Sequence, residues 1–238
     1  MIKLFISKRI VVFICISISC NILLSSGINN ESKKLLSPLN NDEDWELVKI
    51  TDDEILLYSK SIHNMELLAM MVNKTISMEP ESIKKILIDI NNYSNFLSNN
   101  KSIETILIER QKDYLDAYQN IRIDFPFIDN RQYWFRMFFD ISQGNSLVEW
   151  YILDPKLIDK NLLYSKDNNI NLKYGAGLWK YKKTEGEKIQ ISYRLAIDPE
   201  GTIPTIFVDM INKVSIINLF RDVLNEASRD VNIKDTQK

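Results

Sequence analysis

From Trp45 onward the apolar positions recur first every second residue, then every three to four, then every second again. The early alternation predicts three strands, Trp45–Ile50, Ile55–Ser61 and Leu67–Ile76. Pro80 then opens a helix. Over 80–92 (PESIKKILIDINN) Ile83, Ile86, Leu87 and Ile90 share one helical face. Strand spacing returns at Ile103–Glu109, Tyr114–Ile123, Gln132–Ile141, Leu147–Leu153, Leu178–Lys183 and Lys188–Ile197. In the last of these Ile189, Ile191, Tyr193, Leu195 and Ile197 face one way, and Lys188, Gln190, Ser192 and Arg194 the other. That is the period of a half-buried antiparallel strand. Gly201 ends the sheet, and Pro204 to Arg229 predicts a long amphipathic helix. Phe207, Met210, Ile211, Val214, Ile217, Phe220 and Leu224 stripe one side of it.

Strands, a helix, more strands and one long helix make an α+β domain. The long helix must bury its stripe, and a curved antiparallel sheet wrapped around it offers the matching face. A gap between sheet and helix, walled by large apolar side chains, would be a ligand cavity. Within 132–141 apolar residues occupy both parities, so either strand face could look inward.

Ahead of this domain the pattern changes twice. Lys3, Lys8 and Arg9 precede a nearly unbroken apolar run from Ile10 to Leu24, and Ser25-Ser26-Gly27 follows. This is the layout of a secretory signal over residues 1–27, and the run is short for a membrane span. Ser17-Ile18-Ser19-Cys20 loosely resembles a bacterial lipobox, which makes Cys20 a candidate for lipidation. Residues 28–44 read as a polar tether, 45–230 as the folded domain and 231–238 as a polar tail. The expected location is outside the inner membrane, periplasmic or secreted, with a lipoprotein anchor as the variant.

Composition narrows the chemistry. Hydrophobic residues make up 45% and charged residues 26%, an ordinary globular balance. Without the first 27 residues, 27 of the 30 basic residues face all 32 acidic ones. A mildly acidic surface gives no support for nucleic-acid binding. Both cysteines, Cys15 and Cys20, fall inside the signal, so no disulfide or cysteine metal site is expected beyond it. His63 is the one histidine and is expected in a solvated loop, so no metal site or cofactor is expected. Neither a Gly-rich phosphate loop nor a Gly-x-Ser-x-Gly elbow occurs.

Three segments resemble the START domain, the StAR-related lipid-transfer module of the Bet v 1-like helix-grip superfamily. Residues 45–58 (WELVKITDDEILLY) are similar to its opening Trp-x-Leu and the strand ending in Tyr. Residues 125–136 (FPFIDNRQYWFR) are similar to its Pro-x-x-Asp/Asn-Arg-Asp turn, with Gln132 in place of the Asp. Residues 177–212 carry a Gly-x-Trp strand, a Tyr strand and an Asp-Pro-x-Gly-x-Ile-Pro entry to the last helix. The resemblance implies a helix-grip fold over roughly 45–229. It also implies a monomer that binds or transfers a lipid or other apolar molecule, with transient membrane contact.

Candidate residues carry two readings each. Trp134, Trp150, Tyr193 and Leu195 are core residues that could also line the cavity. Phe207, Met210, Ile211 and Val214 either pack on the sheet or form a lid over it. Arg131 follows Asp129-Asn130 in a turn, where local hydrogen bonding accounts for it; gripping a polar head group is the alternative. Arg136 and Arg194 are mid-strand head-group candidates, with solvent exposure the plainer expectation. Asp198-Pro199-Glu200-Gly201 and Asp52-Asp53-Glu54 read as turns. No catalytic motif is found. A cyclase-like enzyme on the same fold and a cavity-less envelope interaction module are the alternatives to a lipid carrier.

Overall fold

The computed structural model describes residues 30–62, 67–123, 128–139, 146–154, 156, 168–201 and 205–236, with side chains of the last helix described over 215–230. The expected signal, Cys20, His63 and the side chains of Phe207, Met210, Ile211 and Val214 lie outside the described residues.

The elements in chain order are α1 (Asn30–Lys34), α2 (Leu36–Asn40), β1 (Glu46–Ile50), β2 (Leu56–Ile62), β3 (Leu67–Ile76) and α3 (Pro80–Ile88). A 3-10 turn and α4 (Tyr93–Phe96) follow, then β4 (Ile103–Arg110), β5 (Tyr114–Ile121), β6 (Arg131–Phe138) and β7 (Ser146–Leu153). The chain continues through β8 (Ile170–Asn171), β9 (Gly175–Lys183), β10 (Ile189–Ile197) and α5 (Thr205–Thr236). Nine strands form one sheet in the order β1-β2-β3-β10-β9-β7-β6-β5-β4, every neighbour antiparallel, and β8 pairs parallel with β6. The sheet curves around α5, which at 32 residues is about 48 Å long.

Strand parity separates two cores. The inner face gathers Val72, Leu115, Ala117, Tyr133, Phe135, Met137, Trp150, Trp179, Ile191 and Tyr193 beneath α3 and α5. From α5 it takes Ile216, Ile217, Phe220, Val223, Leu224 and Ala227, a stripe at helical spacing. The outer face gathers Tyr118, Trp134, Tyr151, Leu178 and Ala196. On β6 the odd positions therefore look inward, which decides the parity that the apolar pattern left open.

The outer core is roofed by residues expected to be a tether. Leu35 and Leu39 of the α1–α2 strap are fully buried there. Ser32 is buried as well; its hydroxyl donates to the Lys173 carbonyl and accepts from the Gly175 N–H. Where α2 ends, its carbonyls meet three cations. Arg194 donates to the carbonyls of Leu39, Asn40 and Asn41 at 2.9–3.3 Å and to the Asp42 carboxylate at 2.5 Å. Lys60 reaches the carbonyls of Pro38 and Glu43, and Lys180 that of Asn40. Cations at a helix C-terminus satisfy carbonyls that have no partner within the helix. The polar composition of this segment hid two leucines at the right spacing.

Candidate functional site

Between the inner face and α5 lies a pocket lined by Leu87, Tyr93, Leu97, Ile103, Gln119, Tyr133, Phe135, Met137, Trp150, Trp179, Tyr193 and Leu219. The described lining encloses about 70 Å³. Each strand contributes through alternation: β6 sends in Tyr133, Phe135 and Met137, β7 Trp150, β9 Trp179 and β10 Tyr193. Tyr93 and Leu97 come from the short helix after α3 and its end.

The rings are ordered against one another. Tyr193, Trp179 and Phe220 form a continuous stack with centroids 4.7 and 5.3 Å apart. This stack fastens α5 to the sheet. Trp150 lies parallel to Tyr133 at 6.2 Å and edge-on to Phe135 at 6.0 Å. Gly177 is what lets Trp150 lie so close, since a Cβ there would stand 2.7 Å from the indole. This gives the Gly-x-Trp pattern a physical reason.

The polar atoms in this wall are few and uncharged. The Tyr93 hydroxyl donates to the Leu87 carbonyl at 2.6 Å. The Tyr133 hydroxyl donates to the Gln119 carboxamide oxygen, and the Gln119 amide nitrogen donates to Thr105 Oγ1 at 2.9 Å. Burial drives the phenols of Tyr93, Tyr133 and Tyr193 well above the usual tyrosine range, and Tyr93 and Tyr133 are raised further by Tyr193 beside them. They are hydrogen-bonding groups and do not ionise near neutral pH.

The sequence candidates separate across the sheet. Trp150 and Tyr193 stand in the pocket wall. Leu195 packs, half-buried, against the inner core. Trp134 does not reach the pocket: its even position places it fully buried in the outer core, 5.5 Å from the Tyr118 ring. Arg136 shares that outer face and is held bidentate by Asp116 at 2.7 and 2.8 Å, over the Tyr114 ring. Arg194 is neither a head-group ligand nor solvent-exposed; the strap covers it to 6% exposure and engages its guanidinium. Arg131 donates to the carbonyls of Asp129, Pro199 and Glu200.

No protein-family model matches the sequence, and no curated protein matches it. Solved structures do. The chain is similar to a STAR-related lipid transfer protein from Xanthomonas axonopodis, with TM-score 0.62 and 13% identity over 78% of this chain and 99% of that one. Human StAR-related lipid transfer protein 5 gives TM-score 0.64 and 9% identity over 85% and 95%. The Zhui aromatase/cyclase of a Streptomyces species gives 0.50 and 12% over 69% and 96%. This is the START helix-grip fold.

The pocket lies between the sheet and the last helix, where the reading of the sequence placed a gap. That reading missed Tyr133, Phe135, Met137, Trp179, Tyr93 and Gln119. A signal for the first three was present. The even positions of β6 include Gln132 and Arg136, whereas Tyr133, Phe135 and Met137 are all apolar or aromatic. Trp179 alternates with Leu178 and Lys180 in the same way. Tyr93 follows a helix break at Asp89, which the helical spacing of 80–92 concealed.

Proposed function

We propose that this domain binds a hydrophobic small molecule, a lipid or compound of similar character, between its sheet and its last helix. The observation that carries the reading is the aromatic pocket wall, with uncharged polar atoms at a few fixed points. Apolar sites of this form take ligands through burial of surface, at about 0.8 kcal/mol per CH₂ group. A site for a whole ligand usually measures about 300 Å³ or more. Uptake at this wall therefore involves opening the contacts around it, and the Trp179–Phe220 stack between sheet and α5 is the joint that would yield.

The reading is of a carrier or sensor that does no chemistry. The Arg136–Asp116 and Arg194–Asp42 pairs lie on the far side of the sheet, and the phenols facing the pocket stay neutral. The basic and apolar N-terminal segment supports action outside the inner membrane, with ligand exchange at a membrane surface.

Native mass spectrometry of the protein purified from its own host, with organic extraction of the same sample, tests this. A reproducible co-purifying apolar molecule is the expected result and names the ligand class. A clean unliganded mass, with no binding across a lipid panel, would turn the reading to an interaction module.

A further inference from the structure

We infer that the outer face of the sheet carries a second binding site, a polar recess for a small hydroxylated phosphate ester. The recess lies on the side of the sheet away from α5. It measures about 290 Å³, the space of about ten waters. Strand register builds it. Arg194, Ser192 and Gln190 stand two residues apart on β10 and face outward. Opposite them are Met71, Asn73 and Thr75 on β3, and Leu178, Lys180 and Lys182 on β9. Asn73, Ser192 and Lys180 thus form one row across neighbouring strands. Asp42 and Trp45, just beyond the strap, complete the lining. Burial deepens from rim to floor. Lys182 is exposed, and Lys180 and Gln190 are half-buried. Asn73, Ser192 and Arg194 are each 6% exposed. Two atoms of this floor lack what their chemistry requires. Among the described residues, the Asn73 Oδ1 oxygen and the Arg194 Nε–H are buried with no hydrogen-bond partner. Such groups weigh against a fold unless something pairs them, and both residues line the recess.

The two atoms call for opposite partners. The Arg194 Nε–H needs an acceptor, and Lys180 and Lys182 set two ammonium groups along the same recess. Asn73 Oδ1 needs a donor, and its amide turns easily about χ2 to present that oxygen to a bound molecule. One molecule carrying an oxyanion and a hydroxyl answers both. Phosphate suits the cations, because its several oxygens accept charge-assisted hydrogen bonds from more than one of them at once. Asp42 accepts from Arg194 at 2.5 Å and from Lys180 at 3.3 Å, which fixes both cations beside the recess. The hydroxyl falls to Asn73. Ser192, which donates only at 3.4 Å to the Lys180 carbonyl, and Gln190 stand next to it. A neutral polyol lacks the first group and sulfate lacks the second.

Calorimetric titration of the protein with glycerol 3-phosphate, sulfate and glycerol tests this. Glycerol 3-phosphate should bind about fivefold more tightly than sulfate, and glycerol should give no heat of binding. Lys182→Ala, a change at the exposed rim, should weaken glycerol 3-phosphate and sulfate alike by about fivefold. Asn73→Leu should remove the advantage of glycerol 3-phosphate and leave sulfate binding within about twofold. Vesicles of phosphatidylglycerol separate a lipid source of this group from a soluble one. Protein that sediments with them, and ceases to as Lys182→Ala, assigns the group to a lipid; protein that binds glycerol 3-phosphate but stays in solution assigns it to a free metabolite. Equal binding of sulfate and glycerol 3-phosphate, an affinity untouched by Lys182→Ala, or no heat with glycerol 3-phosphate overturns the inference. If Asn73→Leu does not fold, Lys182→Ala and the three-probe comparison decide the matter. None of these outcomes bears on the pocket between the sheet and α5, which lies on the other face.

Discussion

Arg131, the first residue of β6, donates through Nε to the carbonyl of Pro199 at 3.2 Å. Its other nitrogens reach the carbonyls of Asp129 and Glu200. The turn it clasps is strained into shape: Glu200 and Gly201 both have positive φ, and the Asp198 carboxylate accepts the Glu200 N–H at 2.9 Å. Two sequence motifs far apart in the chain thus hold one another. Arg131→Ala should destabilise the fold by about 2–3 kcal/mol, since charge-assisted hydrogen bonds from a buried guanidinium to partly buried carbonyls are lost. Lysine at that position cannot present the same fork and should recover less than half of it. Urea unfolding measures the loss, and hydrogen exchange should show it concentrated around the start of β6 and the turn after β10.

Gly177 offers a sharper probe of the pocket wall. A methyl group there meets the Trp150 indole at 2.7–2.8 Å, well inside contact distance. Gly177→Ala should cost about 1–3 kcal/mol by overpacking. It should also push Trp150 from its place against Tyr133 and Phe135, which a shift in tryptophan emission would report.

Asp53 ties the β1–β2 turn to α5 through two bonds from Arg221, at 2.8 and 2.9 Å, and accepts a third from Thr51 Oγ1 at 2.6 Å. The hydrogen bonds from Arg221 hold the Asp53 carboxyl well below the usual range. A lowered folded pKa stabilises the native state above the unfolded value of about 4, and that stability is lost as pH falls below it. Both side chains are more than a third exposed, so screening keeps the contribution to about 0.5–1 kcal/mol. Asp53→Asn should flatten the acid limb of the stability curve by that amount and speed ligand uptake, because it loosens α5. An uptake rate unchanged by the substitution would show that α5 does not part at this end.

The buried phenols make the opposite prediction at high pH. Tyr93, Tyr133 and Tyr193 are raised by burial, and Tyr118, bonded to Gln132 on the outer face, is pushed up to about 12. In the unfolded chain these groups ionise near 10. Their stabilising effect is complete below that value and is lost as pH rises through it, because the unfolded state then releases protons the native state retains. Absorbance titration should show these tyrosines ionising only together with unfolding.

Much of this fold was readable in advance because period-two and period-four patterns do not mimic one another. β3 spans the predicted 67–76, and β10 begins one residue late. The inner face of β10 followed from its alternation, and Ile217, Phe220 and Leu224 fall in the inner core, as the stripe of the last helix implied. What failed shares one cause: pattern reading sees a residue's own polarity and not its partner. Arg194 looked like a solvent-facing residue until the strap supplied carbonyls and Asp42. Trp134 looked like a pocket residue because large aromatic side chains pack on both sides of this sheet. The strap itself was invisible because Leu35 and Leu39 bury against a surface assembled from strands spread between Ile62 and Ala196.

The strap's position has a mechanical consequence. Any force carried along the chain from the N-terminal side arrives at the back of the sheet, where Arg194, Lys60 and Lys180 hold the end of α2, and not at the rim of the pocket. Load there is shared among several polar bonds. The domain can be held by its spine while α5, on the other side, is left to open and close.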